Sequence, residues 1–389
     1  MIYFCKNWNI LLTAGYLIVL MCSCQNMSKE STGVESLSPV DSFKLILDEF
    51  GVPEFNFHQV VYYGEEECLV NLNFVKNSLD FYSFNNGLLV HRIDLSSNSG
   101  NFGDINGFYF HNEDSIFLFP KMTFTNTKLI NFQGEILKNY RPESYTGLEI
   151  PGIINHFSTS LNPTYYRNNS FYFERGILEN TSIPGVLNES YNSSGRLDLN
   201  YDSLYLFEGS GFPSYYFDKA FPIYVSVPSR ILNSENQFVY SWNALDSILI
   251  YDIEMQRKES VFSKSEFKVS DFPQTPNASF QEEMKAIVSN TYYCKILYDP
   301  NSKKYYRFVQ IGRSFDDSRD NNISSLFKND FSVIIHNDKF QFESEVFFKG
   351  GIYNFYHAFV GERGLYLPKT NPYSNELNED YVVFDIFEF

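Results

Sequence analysis

Alanine is scarce in this chain of 389 residues, which contains six alanines but 40 phenylalanines and 29 tyrosines. Alanine is the strongest helix former, whereas aromatic residues favour the pleated surface of a β-sheet. The composition therefore disfavours an all-α bundle. Hydrophobic residues make up 43% of the chain, which also disfavours intrinsic disorder.

Basic residues are in the minority, with 30 lysines and arginines against 47 aspartates and glutamates and a formal net charge of −17. Proteins that bind nucleic acid usually present a basic patch that displaces counterions from the phosphates. No stretch of this sequence clusters lysine or arginine densely, so we expect no nucleic-acid partner. The acidity itself is typical of a surface that resists self-association.

Cysteine is also rare, with five in the whole chain, and three of these fall within the first 24 residues. Cys68 and Cys294 remain in the body of the chain. Neither has a neighbouring cysteine or histidine at the spacing of a zinc site. We expect both to be buried as small hydrophobic side chains, and their pairing in an oxidising compartment stays open.

Long apolar runs are missing except near the N-terminus, where thirteen uncharged residues extend from Ile10 to Cys22. That length suits the core of a signal peptide and falls short of the ~20 residues that a membrane-spanning helix needs. The run ends in Met-Cys-Ser-Cys at positions 21–24, which resembles the bacterial lipobox. Because the small Ser23 precedes Cys24, we predict that Cys24 is acylated and becomes the mature N-terminus.

This processing divides the chain into three parts. Residues 1–23 are predicted as a lipoprotein signal peptide, residues 24–50 as a lipidated tether and N-terminal segment, and residues 51–389 as a single folded domain. The lipid would anchor the protein to a membrane without spanning it. Gln25 stands where an aspartate would resemble an inner-membrane retention signal. The predicted location is therefore the outer membrane of the cell envelope, with its periplasmic and surface faces both open.

One local pattern recurs along the body: an aspartate or asparagine, then a serine, then apolar and aromatic residues. Asp, Asn and Ser favour tight turns because their side chains bond to the nearby backbone, and the residues that follow favour a strand. Each copy therefore predicts a turn and then a strand. The clearest copies begin at Asn77, Asp114, Asp202 and Asp246.

The body divides into six groups of such strands. We predict an all-β fold, a β-propeller of four-stranded antiparallel blades, six in number, with seven left open by the irregular spacing. Short helices are predicted over residues 42–50 and 280–289, the second capped by Asn277. The predicted blades cover residues 57–95, 104–141, 153–210, 221–262, 291–348 and 353–389, the last completed by the N-terminal segment.

The lipobox, the turn-and-strand copies and a closing strand over residues 381–387 together resemble the TolB-like six-bladed propeller lipoproteins of Bacteroidetes type. The resemblance covers nearly the whole chain. It implies a propeller anchored in the envelope. It implies no catalytic residues, because that group has no established catalytic motif.

No motif assigns a catalytic, cofactor-binding or metal-binding residue, and Cys24 is the one site residue predicted. The acidic cluster at 316–320 lacks the order of a calcium-binding loop and is predicted to be a solvated loop. The histidines lack the close pairing of a metal site, so each is predicted to be satisfied by its own hydrogen bonds. They are His58, His91, His111, His156, His336 and His357.

Two kinds of function remain open from the sequence. The favoured one is a binding or scaffold module held at the membrane by its lipid, with a protein or glycan ligand and no cofactor. The alternative is a propeller enzyme, a glycoside hydrolase or lyase, with its site at the central channel. Five tyrosine doublets are expected to pack between blades or to form a stacking surface for sugar or peptide. They lie at 62–63, 165–166, 215–216, 292–293 and 305–306.

Overall fold

The computed structural model describes residues 37–96, 104–142, 144–146 and 154–389. Within these ranges, 26 strands form six sheets that follow one another along the chain as the blades of a propeller. The predicted all-β propeller with six blades is confirmed, and seven blades is wrong. The predicted signal peptide and Cys24 lie outside the described residues.

The first two blades are regular four-stranded antiparallel sheets. From the axis outward, blade one contains β2 (His58–Tyr63), β3 (Glu66–Asn73), β4 (Ser78–Ser83) and β5 (Leu89–Asp94). Blade two contains β6 (Ile105–Asn112), β7 (Ser115–Pro120), β8 (Thr127–Ile130) and β9 (Ile136–Tyr140).

Blade three departs from this plan at both edges. Its inner position is shared by two short strands that both pair with β13, and its outer edge carries an added parallel strand, β10. From the axis outward it contains β11 (His156–Phe157) and β12 (Tyr165–Arg167), then β13 (Ser170–Arg175), β14 (Ser194–Asp198), β15 (Ser203–Leu206) and β10 (Ser144–Thr146).

The last three blades return to the four-stranded plan. Blade four contains β16 (Ser229–Leu232), β17 (Phe238–Ser241), β18 (Ser247–Tyr251) and β19 (Arg257–Phe262). Blade five contains β20 (Tyr292–Asp299), β21 (Lys304–Gln310), β22 (Phe331–His336) and β23 (Phe342–Phe348). Blade six contains β24 (Phe359–Gly361), β25 (Gly364–Pro368), β26 (Tyr381–Phe387) and β1 (Asp41–Ile46).

The ring is closed by strands from opposite ends of the chain. β1 pairs antiparallel with β26, from Asp41 opposite Ile386 to Ile46 opposite Tyr381. Leu45 is fully buried in the hydrophobic cluster between blades six and one. The ring therefore cannot open without breaking this pairing.

The strand β1 overturns the predicted helix over residues 42–50. Phe43, Leu45 and Leu47 turn inward in alternation with exposed neighbours, and that period of two is the pattern of a strand. The apolar residues also fit a helical spacing, so the pairing with β26 decides between the two. The local sequence alone could not.

Helices are few, as the low alanine content predicts. The ten-residue helix Phe280–Ser289 is confirmed, but Ser279 caps it, in a reciprocal capping box with Glu282, and the predicted cap at Asn277 is wrong. Among the described residues no helix is long and apolar enough to cross a membrane. The remaining helical segments are a four-residue α-helix, Ile223–Ser226, and the 3-10 turns Ser214–Tyr216, Ile323–Lys328 and Phe355–His357.

The hydrophobic core is divided among the spaces between blades, where aromatic rings interlock. Phe81 of blade one meets the ring edge of Phe110 of blade two at 5.6 Å, and Phe117 of blade two meets Phe171 of blade three at 4.7 Å. Edge-to-face pairs of this kind add to the stabilisation from buried area. The abundance of phenylalanine is therefore explained by the number of interfaces that six blades create.

Buried arginines tie neighbouring blades together. Arg230 of blade four donates to the Ser194 hydroxyl of blade three at 2.8 Å, and Glu174 of blade three lies 3.4 Å from the same guanidinium. Arg307 of blade five donates to the main-chain oxygen of Ser263, just beyond blade four, at 2.6 Å. Both arginine side chains are fully buried, so the oxygen atoms that they contact replace part of the lost hydration.

Candidate functional site

The inner edge of blade three is interrupted by seven residues, 158–164, which we call the crosspiece. Phe157 pairs with Glu174 and Tyr165 pairs with Tyr172, so the crosspiece leaves the sheet opposite a single residue, Phe173. An excursion of this length carries the main chain away from the blade and toward the axis. The pair Asn162-Pro163 marks the break, because proline cannot donate to a strand ladder.

The crosspiece reaches blades on the far side of the ring. The Ser160 main-chain nitrogen donates to the Asn56 carbonyl oxygen at 2.9 Å, and the Ser160 hydroxyl donates to the Tyr356 carbonyl oxygen at 3.3 Å. Asn56 precedes blade one and Tyr356 precedes blade six. Blade six stands opposite blade three in a ring of six, so a segment that joins the two crosses the axis.

A second group of hydrogen bonds fixes the crosspiece to blade four. The fully buried Asn162 side chain donates to the Pro228 carbonyl oxygen at 2.7 Å and accepts from the Arg230 main-chain nitrogen at 3.0 Å. The Ser229 hydroxyl donates to the Leu161 carbonyl oxygen at 2.9 Å. One segment thus satisfies main-chain groups in or directly before three other blades and spans the space between them.

Gly107 allows the crosspiece to approach blade two. A Cβ atom at this position would lie 2.4 Å from the Cβ of Ser158, and the backbone φ of +151° is one that side-chain-bearing residues rarely adopt. Ser158 in turn bonds to His156 Nδ1 at 2.9 Å and to the Thr164 hydroxyl at 2.8 Å. The crosspiece is therefore held at its two ends, Ser158 and Thr164, as well as at its middle residues.

Above the crosspiece, at the end of the channel where the inner strands finish, lies a cavity of about 400 Å³ that we call the mouth pocket. Five of the six blades contribute to it, and most of its lining is apolar or aromatic. Its lining residues are His58, Gln59, Val60, Ser160, Pro163, Tyr165, Arg167, Ile231, Leu232, Asn233, Ser234, Leu297, Tyr298, Pro300, Ala358, Phe359 and Val360.

Several polar side chains of the mouth pocket are engaged within the protein. Both amide atoms of Gln59 bond to the main chain of Phe110, at 3.0 and 2.9 Å. The Asn233 amide donates to the Tyr305 hydroxyl at 3.0 Å, and the Ser234 and Tyr298 hydroxyls bond to each other at 2.8 Å. The surface offered to a ligand is therefore mainly that of apolar groups and aromatic rings.

The floor of the mouth pocket rests on a buried lysine. Lys295, on the inner strand of blade five, has no exposed surface and donates to the carbonyl oxygens of Tyr356 and Ala358 at 2.6 and 2.7 Å. No carboxylate of the described residues forms an ion pair with it. Burial lowers the pKa of the Lys295 ammonium to about 7, because the charged form loses its hydration.

Two neutral histidines border this lysine. His58 Nδ1 lies 2.6 Å from the Phe55 carbonyl oxygen, and His357 Nε2 lies 2.8 Å from the Asn56 side-chain oxygen. Burial, reinforced by neighbouring positive charge, lowers the pKa of each imidazole to about 3. His58, His357 and Lys295 therefore form a cluster of basic groups at the level of the crosspiece.

The histidine prediction is confirmed for the other buried members as well. His156 accepts or donates at both ring nitrogens, and His336 bonds to the Ser263 hydroxyl at 2.8 Å. No group of three or more His, Cys, Asp or Glu residues in the described ranges is arranged to hold a metal ion. The structure brings only His58 and His357 of the six together.

The acidic cluster differs from its prediction at one residue. Asp316 and Asp317 are exposed as expected, but Asp320 is buried and meets the Arg313 guanidinium through two contacts of 2.6 and 2.8 Å. Lys328 adds a third contact at 3.3 Å. The hydrogen bond to Arg313 holds the pKa of the Asp320 carboxyl well below its usual range. The Asp320 carboxylate is thus paired with Arg313 and Lys328 of the same chain, and these ion pairs hold the loop in place.

The tyrosine doublets and the cysteines follow the structural expectation. Tyr63 stacks on Phe132 of blade two at 4.9 Å, and Tyr293 lies under the Arg307 guanidinium at 3.4 Å. Tyr165 is the doublet member that lines the mouth pocket. The two body cysteines are buried and unpaired: Cys68 and Cys294.

Sequence reasoning missed the residues that build the mouth pocket. The crosspiece interrupts an aromatic strand pattern with Asn162-Pro163, and that break was a usable signal for a loop. Lys295 is a single lysine inside a strand of tyrosines and aliphatic residues, which signalled a buried charge. Arg167 carries no such signal, because an arginine at a strand end is ordinary.

Four histidines with lowered pKa values, three of them buried and His58 half-buried, predict sensitivity to acid. Burial lowers the pKa of His58 and His357 to about 3 and of His156 and His336 to about 4. The unfolded chain binds these protons near pH 6.5, so between pH 6.5 and 4 it holds more protons than the folded chain. The free energy of unfolding therefore decreases as the pH is lowered through this window, by up to about 2 kcal/mol per histidine at pH 5.

Thermal unfolding followed from pH 7 to pH 5 checks this prediction. His156→Gln removes one titrating group and should reduce the fall in melting temperature, whereas the same change at the exposed His111 should leave it as in the unmodified chain. A melting temperature that stays constant over this range would contradict the prediction.

Solved structures of other proteins resemble this chain over most of its length. A virginiamycin B lyase from Staphylococcus aureus is 11% identical over 88% of this chain and 98% of its own, with a TM-score of 0.39. A candidate exported protein from Bacteroides fragilis is 11% identical over 92% of this chain and 98% of its own, with a TM-score of 0.52. The comparison with curated proteins found no match.

Stronger similarity joins the chain to one family. Residues 48–342 match the model of a domain of unknown function, DUF4221. The crystal structure of a DUF4221 member from Bacteroides vulgatus is 20% identical, covers 91% of this chain and 98% of its own, and superposes with a TM-score of 0.76. Because the family model spans most of the chain, the protein belongs to the DUF4221 family, whose fold here is a six-bladed β-propeller.

Proposed function

We propose that this protein is a binding module of the cell envelope, anchored by a lipid on Cys24, that takes an apolar or aromatic group of its ligand into the mouth pocket. The observation that carries the proposal is an apolar cavity lined by five blades and bordered by the crosspiece. The crosspiece supplies a floor, and five blades supply walls. A concave, largely preformed and mostly apolar pocket is the usual form of a ligand site.

Rigidity supports binding at this position. The walls are inner strands whose main chains are paired within their blades, and the floor is fixed by hydrogen bonds to blades one, four and six. A ligand therefore meets a surface that needs little ordering, which lowers the entropic cost of association. Glycan binding has less support, because sugars need free hydrogen-bonding groups and several polar groups here are engaged internally.

An enzyme at the same position also has less support. Most glycoside hydrolases use a pair of carboxylates, and no aspartate or glutamate is among the described residues that line the mouth pocket. His58, with a pKa of about 3, is a weak base at neutral pH. Lys295 has a pKa suited to proton transfer, but its ammonium is fully buried and donates to the Ala358 carbonyl oxygen, so a substrate in the pocket could not reach it.

Filling the mouth pocket should abolish binding there. Calorimetric titration with hydrocinnamamide, a neutral phenyl compound, should give saturable binding to the unmodified protein. Val360→Phe places a ring into the cavity and should weaken that binding at least about tenfold, because the added volume competes with the probe. The matched control is Val90→Phe, on the outer strand of blade one, where the residue is 38% exposed.

The control should bind the probe as the unmodified protein does, and melting temperatures of both variants report their folding. Equal binding by the two variants would place the ligand elsewhere. Failure of the unmodified protein to bind either hydrocinnamamide or the corresponding acid, hydrocinnamate, would overturn the proposed role of the pocket.

The anchor is tested by fractionation. The full chain with Cys24 should sediment with the outer membrane and incorporate labelled fatty acid, because an acylated N-terminus partitions into lipid. Cys24→Ala should lose both the label and the membrane association. The neighbouring Cys22→Ala is the matched control and should retain both. Membrane association of the Cys24→Ala protein without label would contradict the lipid anchor.

A further inference from the structure

The lining of the mouth pocket is basic, although the chain as a whole carries −17. Arg167 is the one formally charged side chain among the described lining residues, and none of them is acidic. Lys295 lies beneath the floor, bonded to the carbonyl of the lining residue Ala358. A cavity that excludes carboxylates in an acidic protein has an electrostatic preference opposite to that of its surroundings.

Arg167 lies at the rim of the mouth pocket and is held there by two hydrogen bonds. It ends β12 at the rim, where its Nε donates to the Asn236 side-chain oxygen at 3.1 Å and its Nη1 donates to the Tyr166 carbonyl oxygen at 3.0 Å. These two contacts hold the guanidinium at the rim. Its Nη2 forms no hydrogen bond with the described part of the chain, and no carboxylate there pairs with it. Because Nη2 has no partner there, the Arg167 guanidinium can donate hydrogen bonds to a planar anion such as a carboxylate.

The floor reinforces the same preference. Lys295 is buried and donates to two neutral carbonyl oxygens, and His58 and His357 beside it are neutral imidazoles. The pKa of Lys295 is about 7, so the side chain is partly protonated at neutral pH, and no carboxylate of the described residues cancels that positive charge. A negative charge in the cavity would be attracted to it through protein of low polarisability, where salt screens weakly.

From this arrangement we infer that the ligand of the mouth pocket is a carboxylate with an apolar, preferably planar body, whose carboxylate pairs with Arg167 while its body lies among Pro163, Phe359 and Ile231. The inference rests on the proposed function, since it concerns the same pocket. The cavity of about 400 Å³ has room for a ring and a short chain. Such a group occurs in a free aromatic acid and at the carboxyl end of a peptide that finishes in an aromatic residue.

The test compares probes that differ only in charge. Hydrocinnamate and hydrocinnamamide have the same phenyl body, and calorimetric titration at low salt should give about tenfold tighter binding of the acid. Arg167→Gln should remove most of that difference by weakening the binding of the acid severalfold, and it should leave the binding of the amide unchanged. Arg167→Lys should keep part of the preference, because a lysine retains the charge without the planar fork. Raising the salt concentration should weaken only the acid.

The matched control is Arg319→Gln, which removes one positive charge from a side chain that is 79% exposed on a loop of blade five. It should not change either titration. A short glycine peptide ending in phenylalanine, with its carboxylate free or amidated, separates the two sources of the ligand group. Preference for the free peptide over hydrocinnamate would indicate a chain terminus, and the reverse order would indicate a small acid.

The outcomes separate this inference from the proposed function. Tighter binding of the acid that depends on Arg167 supports both. Equal binding of the acid and the amide overturns the inference and leaves the pocket as a binding site for neutral apolar groups. Binding of neither probe overturns the proposed function, and the inference with it.

Discussion

The crosspiece is the constraint on which the candidate site depends. A six-bladed ring leaves a channel along its axis, and here one segment of seven residues leaves blade three and bonds to blades one, four and six. Asn162 is decisive, because its single buried amide serves both the Pro228 carbonyl and the Arg230 nitrogen. Removing a buried partner of this kind costs about 1–3 kcal/mol for each group left unsatisfied. Without the crosspiece the mouth pocket would have walls but no floor.

The charges in this region follow from the same arrangement. Lys295 and Ser160 both donate to the Tyr356 carbonyl oxygen, so the buried ammonium belongs to the network that fixes the crosspiece. The network contains no carboxylate from the described residues, which makes the Lys295 charge costly to the folded state. A buried charge without an ionic partner destabilises the folded state strongly, so buried cations are usually paired with carboxylates. Elsewhere in the ring, Arg230 has Glu174 beside it and Asp320 has Arg313. Lys295 shares with Arg307 the condition of a fully buried cation whose hydrogen-bond partners are neutral oxygens.

The fold could be predicted from the sequence because the turn-and-strand pattern that encodes it is repeated along the chain. Turn residues at Asn77, Asp114, Asp202 and Asp246 each precede a blade strand, and the six predicted groups of strands match the six blades. The site was not accessible, because it consists of single departures from the repeat. The crosspiece breaks the strand pattern of blade three, and its partners Asn56, Pro228 and Tyr356 are far apart in the chain. Residues 42–46 were misassigned for a related reason, since their partner β26 lies at the opposite end of the sequence.

The central claim, that residues 158–164 form a fixed floor across the channel, is tested most directly by hydrogen–deuterium exchange with mass spectrometry. The amide hydrogens of Ser160 and Asn162 bond to main-chain carbonyl oxygens of Asn56 and Thr159. A peptide that covers the crosspiece should therefore exchange slowly in the native protein, at a rate comparable to the inner strands, and Asn162→Ala should accelerate it. Exchange as fast as that of the exposed loop at 316–319 would contradict the account, because the channel would then be open and the mouth pocket would have no floor.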